Sequence, residues 1–301
     1  MKICINRKPV IGPWGGGNLF VTSFCETLTQ AGHQVVHTLE DNLDFIFMQD
    51  PRYSDLGISV NEIVEYKRKK PSTKVIHRVN ECDARKGTHG LDKLLRACSQ
   101  YTDHTIFVSE WMRQYHLEKG WKCDSTSIVY NGVNLKHFRA CDKIENGKVN
   151  IVTHHWSDHP LKGADIYDAL DEWVGGNENF TFTYIGRCSR PFKNSKLIPP
   201  LSGQALGDEL GKYDIYVSGS RFDPGPNHVI ESLACGIPTY VHHDGGGAAE
   251  FAGKHNTYTN YDGLVKLITR DFKEQKYFSN LAPYSWESCV KNVMNILSSC
   301  Q

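Results

Sequence analysis

A parallel, doubly wound α/β fold, repeated once along the chain, is what this sequence predicts. Three observations predict it. Short β-rich runs alternate with helix-period stretches over nearly the whole length, one polar stretch interrupts the alternation, and the pattern then restarts with a strand of the same kind, KICIN first and VNIVT second. A chain of 301 residues is long enough for two ordinary domains, and 40% hydrophobic with 23% charged residues marks a soluble globular protein.

In the first half the expected strands are Lys2–Asn6, Gln34–Thr38, Asp44–Met48, Lys74–Val79, His104–Val108 and Ser127–Tyr130. Helix-period stretches such as Leu19–Gln30 and Leu91–Ser99 lie between them. The polar stretch Phe138–Lys148, FRACDKIENGK, reads as a linker. After it come Val149–Thr153, Phe180–Ile185, Lys196–Ile198, Asp214–Ser218 and Thr239–His242. The expectation is two Rossmann-like domains in series, 1–142 and 149–285. A last helix, 286–301, carries Val290, Val293, Met294 and Leu297 as one stripe and packs back on the first domain. In sheets of this type ligands bind outside the carboxyl ends of the strands.

Lys+Arg and Asp+Glu both count 34, a formal net charge of zero, which argues against a broad electrostatic grip on nucleic acid. A solvated helix end accounts for the KRKK run from Lys67 to Lys70. No stretch approaches the roughly 18 apolar residues that span a bilayer, which leaves peripheral contact with a membrane open. The opening MKICINRKPVIGPWGGG has no apolar core of signal-peptide length, and the ten cysteines include no C-x-x-C spacing. Reduced thiols in a cytoplasm, and no structural zinc, are expected.

Four features fall where strands end. Gly12–Gly17, in IGPWGGGNLF, lets backbone approach a ligand closely and feeds a helix start suited to an anion, or it is a tight strand–helix turn. His77 and Arg78 close the strand KVIHRV, where a histidine is either a core residue or a ligand-facing one. In HHWSDHPLKG, Lys162 precedes a glycine and a helix, so its ammonium can reach an anion held in the loop. His155 and His159 stand four apart there, but Asp158 and Pro160 make the segment a loop with no third ligand nearby, so no metal site is expected.

The fourth feature is DPGPNHVIESLACGIP. At about 100° per residue, Val229, Ile230, Leu233 and Ala234 share an apolar arc, and Glu231 falls at its edge beside Asn227 and Cys235. Asn227 reads as the N-cap, with Gly225 and Pro226 shaping the turn before it. Free N–H groups near Asn227, His228 and Val229 would seat phosphate oxygens. Asp223 and Glu231 on the flanks would hold hydroxyls, because a carboxylate accepts two strong bonds from a vicinal diol. Phosphate in the middle and polyols at both ends is the shape of a nucleotide-sugar.

The segment resembles the carboxylate-x7-Glu motif of retaining family-4 glycosyltransferases, which have the GT-B fold of two Rossmann-like domains facing a cleft. GGGNLF, HRVN, FVSEWM, VYNGVN, the Lys-Gly of PLKG, and ESLACGIPTYV followed by GGG stand in the family's order over nearly the whole chain. The resemblance implies that Glu231 binds the donor ribose, that Asp223 with Gly225 and Pro226 holds the transferred sugar, and that backbone N–H groups of Asn227 and His228 meet the diphosphate. It further implies that Lys162 neutralises the diphosphate, that His77 lies against the donor sugar, and that Gly16 and Gly17 line the acceptor side or touch phosphate. The co-substrate would be a UDP- or GDP-hexose, with no further cofactor and no metal. The acceptor would be a glycan, a lipid-linked or a small-molecule hydroxyl.

The chain departs from the pattern twice. Asp223 stands where the family usually has Glu, and Trp156-Ser157 stand where an Arg precedes the Lys. Arg187 in YIGR is the candidate substitute, with Arg78 behind it. The rival readings are a nucleotide-sugar epimerase of the same shape and a non-catalytic nucleotide-sugar-binding protein. A nicotinamide enzyme is disfavoured, since no G-x-G-x-x-G follows a strand.

Overall fold

The computed structural model describes residues 1–12, 15–55, 57–122, 125–270 and 281–300. Its strands are β1 (Lys2–Ile5), β2 (Gln34–Val36), β3 (Phe45–Met48), β4 (Lys74–Val79), β5 (His104–Phe107), β6 (Thr126–Ile128), β7 (Val149–His155), β8 (Phe180–Gly186), β9 (Lys196–Ile198), β10 (Ile215–Ser218), β11 (Thr239–His242) and β12 (Thr257–Tyr258). They form two six-stranded sheets, ordered β2-β1-β3-β4-β5-β6 and β12-β11-β10-β7-β8-β9, with every pairing parallel. The chain divides into two compact units, Met1–Gly132 with the segment from Trp286 onward, and Val133–Ser285.

Read from its own first strand, the second sheet runs 3-2-1-4-5-6, the common dinucleotide-fold order, and the first runs 2-1-3-4-5-6. In each, strand order reverses at one place: between β1 and β3 in the first unit, and between β7 and β10 in the second. The connections leave in opposite directions there, which opens a crevice at the carboxyl ends.

The strands lack the in–out alternation of a half-solvated sheet. All four residues of β3, Phe-Ile-Phe-Met, are buried, because helices cover both faces. In the first unit one face packs Ile3, Ile5, Phe45, Phe47 and Ile76 against the helices Gly15–Gln30 and Trp286–Ser299. The second of these buries Val290, Val293 and Leu297 completely. Each such side chain contributes about 1.5–3 kcal/mol by leaving water, which is why the terminal helix belongs to this unit. In the second unit Ile151, Phe182, Ile215, Val217 and Tyr240 form the sheet's share of a core closed by Tyr167, Leu170 and Leu264.

The division falls between Gly132 and Val133, earlier than the expected boundary at 142. The polar stretch taken for a linker is tied into the second unit. Phe138 is buried, Ile144 N–H donates to the Lys212 carbonyl, and Lys143 Nζ donates to the carbonyls of Gly211 (3.1 Å) and Tyr213 (2.6 Å). Among the described residues no helix is long and apolar enough to cross a membrane.

Candidate functional site

Seven of the predicted site residues lie on the turn after β7 and on the loop and helix after β10. β7 ends at His155, and the chain passes through the short helical turn Pro160–Lys162 into the helix Ala164–Gly175. Gly163 joins the two at φ +98°, a left-handed conformation that disfavours a side chain, and a Cβ there would lie 2.5 Å from the backbone of Gly219. The Lys-Gly pair is therefore a matter of contact: only glycine lets this loop touch the one that leaves β10. The touch brings Lys162 Nζ to 3.1 Å from Asp223 Oδ2, with both side chains nearly buried. Ser220 Oγ donates to the same oxygen at 3.3 Å.

The Asp223 loop is strapped from behind. Phe222 N–H donates to the Asp244 carbonyl, Asp223 N–H to that of Gly245, and Gly247 N–H to that of Asp223. Gly246, at φ +68°, has no room for a Cβ, which would stand 2.4 Å from the Asp223 carbonyl oxygen. Phe222 itself has φ +51°, a conformation that costs an aromatic residue on the order of 1–3 kcal/mol and that surrounding structure must impose.

Helix Asn227–Ala234 follows. Its cap is Pro226 and Asn227 is its first residue, so the expected Asn227 cap is displaced by one position. The Val229 N–H donates to the Pro226 carbonyl at 3.1 Å, which takes it from the expected phosphate donors. His228 Nε2 pairs with Ser218 Oγ at 2.7 Å. The helix is buried nearly all round, Glu231 included, so Glu231 does not look out along an open face. One of its oxygens, Oε2, lies 2.9 Å from His154 Nε2. Nothing among the described residues hydrogen-bonds the other, Oε1.

Asp223 thus stands four residues before the helix and Glu231 is its fifth residue, and each has one oxygen held by a nitrogen of β7 or of the turn after it, His154 for Glu231 and Lys162 for Asp223. Behind them the Tyr167 hydroxyl accepts from Gly219 N–H (2.9 Å) and Thr153 Oγ1 (3.1 Å) and lies 2.6 Å from His155 Nε2. This binds β7, β10 and the helix Ala164–Gly175 into one support. Sequence reasoning missed His154 and Tyr167; the buried His-His pair closing β7 was the available signal.

Three arginines lie on the loops after β8 and β10. Arg187 follows β8, exposed, with its backbone N–H on the His155 carbonyl at 3.3 Å and no ion pair for its side chain among the described residues. Arg190 pairs with Asp168 at 3.0 Å. Arg221 holds Asp165 with two bonds, at 2.8 and 2.6 Å, and this drives the Asp165 carboxyl below the usual range.

In the first unit, Gly15, Gly16 and Gly17 form the first turn of the helix Gly15–Gln30, not a loop before it; Pro13 and Trp14 lie outside the described residues. A Cβ on Gly17 would meet Asn80 Nδ2 at 3.2 Å, so this glycine seats the helix close against the strand ends. His77 is fully buried with both ring nitrogens unbonded, its ring 6.2 Å from Trp121, and burial pulls its pKa down to about 3. Arg78 is also in the core. Its guanidinium donates to Gln49 Oε1 (3.2 Å) and to Asn131 Oδ1 and lies 3.9 Å from the Phe20 ring centre.

His155 and His159 keep separate partners, Tyr167 and the Leu161 N–H (3.2 Å). Among the described residues one group, His242, His243 and Asp244, brings three possible metal ligands within 4.8 Å of one another. His242 Nδ1 there already accepts the Asp244 N–H at 3.1 Å, and burial, with the Arg221 charge after it, holds the His242 pKa down. The first spends a ligand lone pair and the second repels a cation.

No protein-family model matches the chain, and no curated protein sequence matches it. Solved structures do. HepE of Anabaena, in complex with UDP and glucose, superposes with a TM-score of 0.74 at 12% identity over 99% of both chains. The lipopolysaccharide outer core galactosyltransferase WaaB gives 0.72 at 14% identity over 100% of both. Sucrose-phosphate synthase from Thermosynechococcus elongatus gives 0.69 at 14% over 99% of this chain and 98% of that one. The fold is that of the GT-B glycosyltransferases: two Rossmann-like α/β domains, each on a parallel sheet.

Proposed function

We propose that the chain is a retaining glycosyltransferase that moves a hexose from UDP, or from GDP, to an acceptor hydroxyl, with protein cations rather than a metal on the diphosphate. One observation carries the reading. Two carboxylates, one before and one within the helix Asn227–Ala234, are each anchored through one oxygen to the segment that leaves β7 at the reversal point of a 3-2-1-4-5-6 sheet. Such a site offers a helix N-terminus to phosphate and anchored acceptors to hydroxyls on either side. HepE, of like fold, was crystallised with UDP and glucose, which supports UDP as the first nucleotide to try.

In this reading Glu231 accepts from the ribose hydroxyls and Asp223, with the turn Gly225-Pro226, from the transferred sugar. Asn227 and His228 offer backbone N–H groups to the diphosphate. The bond from the anomeric carbon to the β-phosphate oxygen breaks, and its electron pair stays on that oxygen. Lys162 and Arg187 stabilise the charge as it grows; preorganised charge of this kind is commonly the largest catalytic contribution. The acceptor oxygen bonds to the anomeric carbon on the same face and gives its proton to the departing phosphate, which preserves configuration.

Glu231→Gln weakens binding of the nucleoside diphosphate by about 1.5–3 kcal/mol, the range for a hydrogen bond to a charged group. Calorimetry with UDP and GDP measures it, and unchanged affinity removes the ribose assignment. A product assay separates the rival chemistries: epimerised donor with no transferred sugar identifies an epimerase, and binding without turnover a sensor. Ser157, where the family carries a diphosphate-binding Arg, is the residue that keeps the sensor reading open.

A further inference from the structure

We infer that His154 is the positioning residue for ribose recognition, holding the Glu231 carboxylate so that its free oxygen meets the ribose diol; this rests on the reading of Glu231 given above. A carboxylate has no proton to give, so His154 Nε2–H is the donor in the 2.9 Å contact with Oε2, whether the ring is neutral or charged. The other oxygen, Oε1, is the one left for a ligand hydroxyl. Both side chains are about nine-tenths buried, 9% and 10% exposed, so the contact is made in a low-dielectric setting where a hydrogen bond to a charged group is strong.

His154 is itself fixed. Its backbone N–H donates to the Tyr216 hydroxyl at 3.2 Å, that hydroxyl lies 3.4 Å from the His154 carbonyl oxygen, and the Tyr216 ring stands edge-on to the imidazole at 5.5 Å. Tyr216 is on β10 and pairs in register with Val152 of β7, so the two strands flanking the reversal point clamp the histidine. The imidazole Nδ1 is buried with no partner. The ring is thus held through Nε2 alone, by Glu231, with its backbone as the fixed end. The arrangement anchors a helix-borne carboxylate to the sheet, so Glu231 need not be ordered when the nucleotide arrives, and the ordering cost is removed from binding.

Calorimetry with UDP and with 2′,3′-dideoxy-UDP tests this on the full chain. Wild type prefers UDP. His154→Ala loses about tenfold in UDP affinity, the order expected when a hydrogen bond to a charged group is removed. It binds the dideoxy analogue within about twofold of wild type, because that ligand never uses Glu231. Retained dideoxy binding also shows that the variant is folded. His154→Gln, whose amide N–H can still donate, recovers most of the preference, and in a Glu231→Gln background His154→Ala adds nothing. If Glu231→Gln abolishes the ribose preference but His154→Ala keeps it, the inference is overturned while the Glu231 reading stands. An equal loss for both ligands in His154→Ala and His154→Gln overturns it in favour of a structural role. If wild type binds UDP and its dideoxy analogue equally, the Glu231 reading fails and the inference with it.

Discussion

The two units carry the same kind of sheet but place their strand-end histidines and arginines differently. At the second unit's reversal point the charged groups are paired across loops, Lys162 with Asp223 and Arg221 with Asp165, with His154 on Glu231 beside them. In the first unit Arg78 and His77 lie inside the core. Arg78 is satisfied by two neutral amides and an aromatic face, and burial lowers its pKa to about 10; His77 is held neutral. The second sheet pairs charged groups between the loops at its strand ends, whereas β4 of the first buries its histidine and arginine, and only past β3 does Asp50 pair with Arg7 and Arg52. The difference teaches that a strand-end position alone does not make a ligand-facing residue. The glycines that bring loops together, Gly163 against Gly219 and Gly246 against Asp223, decide it.

The largest expected effect breaks the better pair. Lys162→Ala lowers turnover by about 10²–10³-fold, as loss of one preorganised donor does, and lowers it more than donor affinity, because charge on the diphosphate grows as the bond breaks. It also leaves Asp223 buried without its cation. Lys162→Ala with Asp223→Asn therefore regains stability by urea denaturation but not turnover. An intact turnover number with a raised Michaelis constant marks Lys162 as a ground-state binder and breaks the proposed role.

Arg187 sharpens the comparison, since it is a cation of this unit without a carboxylate partner among the described residues. Arg187→Ala costs on the order of 3 kcal/mol of transition-state stabilisation if it serves the diphosphate. Arg187→Lys recovers part of it, an ammonium lacking the guanidinium's two-pronged grip. An arginine placed at Ser157 in the Arg187→Ala background restores activity, and near-wild-type steady-state rates for Arg187→Ala remove it from the site.

Much of this was legible before any coordinates. Strand–helix alternation located both sheets because parallel strands buried on two faces read as short apolar runs, and Lys162-Gly163 and Asp223 to Glu231 stood out because turn chemistry is local. What was not legible is what lies far away in sequence. His154 and Glu231 are 77 positions apart, and no local pattern links them. His77 reads equally as a core or a ligand-facing residue of the strand Lys74–Val79, and only the cover on both faces of β4, which buries the ring, decides between them. Polarity made Phe138–Lys148 look like a linker, though a lysine stem can carry its ammonium to carbonyls of the packed unit, as Lys143 does.

The buried His77 makes the first unit's core acid-sensitive from pH 6.5 downward, whereas the Asp165 pair of the second unit is lost only below the ordinary aspartate range. The folded pKa of His77, about 3, lies below the ordinary histidine value of 6.5, so the native state excludes a proton that the unfolded chain binds. The contribution is therefore complete above pH 6.5 and is lost as pH falls from 6.5 toward 3, by up to about 1.4 kcal/mol per unit. His116, lowered to about 4 chiefly by burial, faces it, acts in the same window and lowers His77 further, while the negative charge of Asp50 opposes the shift. Urea unfolding at pH 7 and pH 5 shows a drop in wild type that is smaller in His77→Leu. An equal drop in both would mean that His77 is not held neutral.

The smallest expected effect belongs to Arg221, and it tests whether pairing with a carboxylate marks a structural cation. Arg221 lies near the Asp223 loop, its backbone N–H on the Leu161 carbonyl at 2.8 Å, and it would be a natural second cation for a diphosphate were its guanidinium not closed on Asp165 by two bonds. Asp165 is largely exposed, its side chain at 60%, so water screens the pair. Arg221→Ala then costs under about 1 kcal/mol of stability. Turnover stays within about threefold of wild type, well short of the loss expected for Arg187→Ala. A double-mutant cycle with Asp165→Ala reads the coupling directly and should find it small. If Arg221→Ala instead lowers turnover by a hundredfold while Asp165→Ala leaves it unchanged, the guanidinium releases Asp165 to meet the donor. Arg221, not Arg187, would then stand in for the arginine that Ser157 lacks.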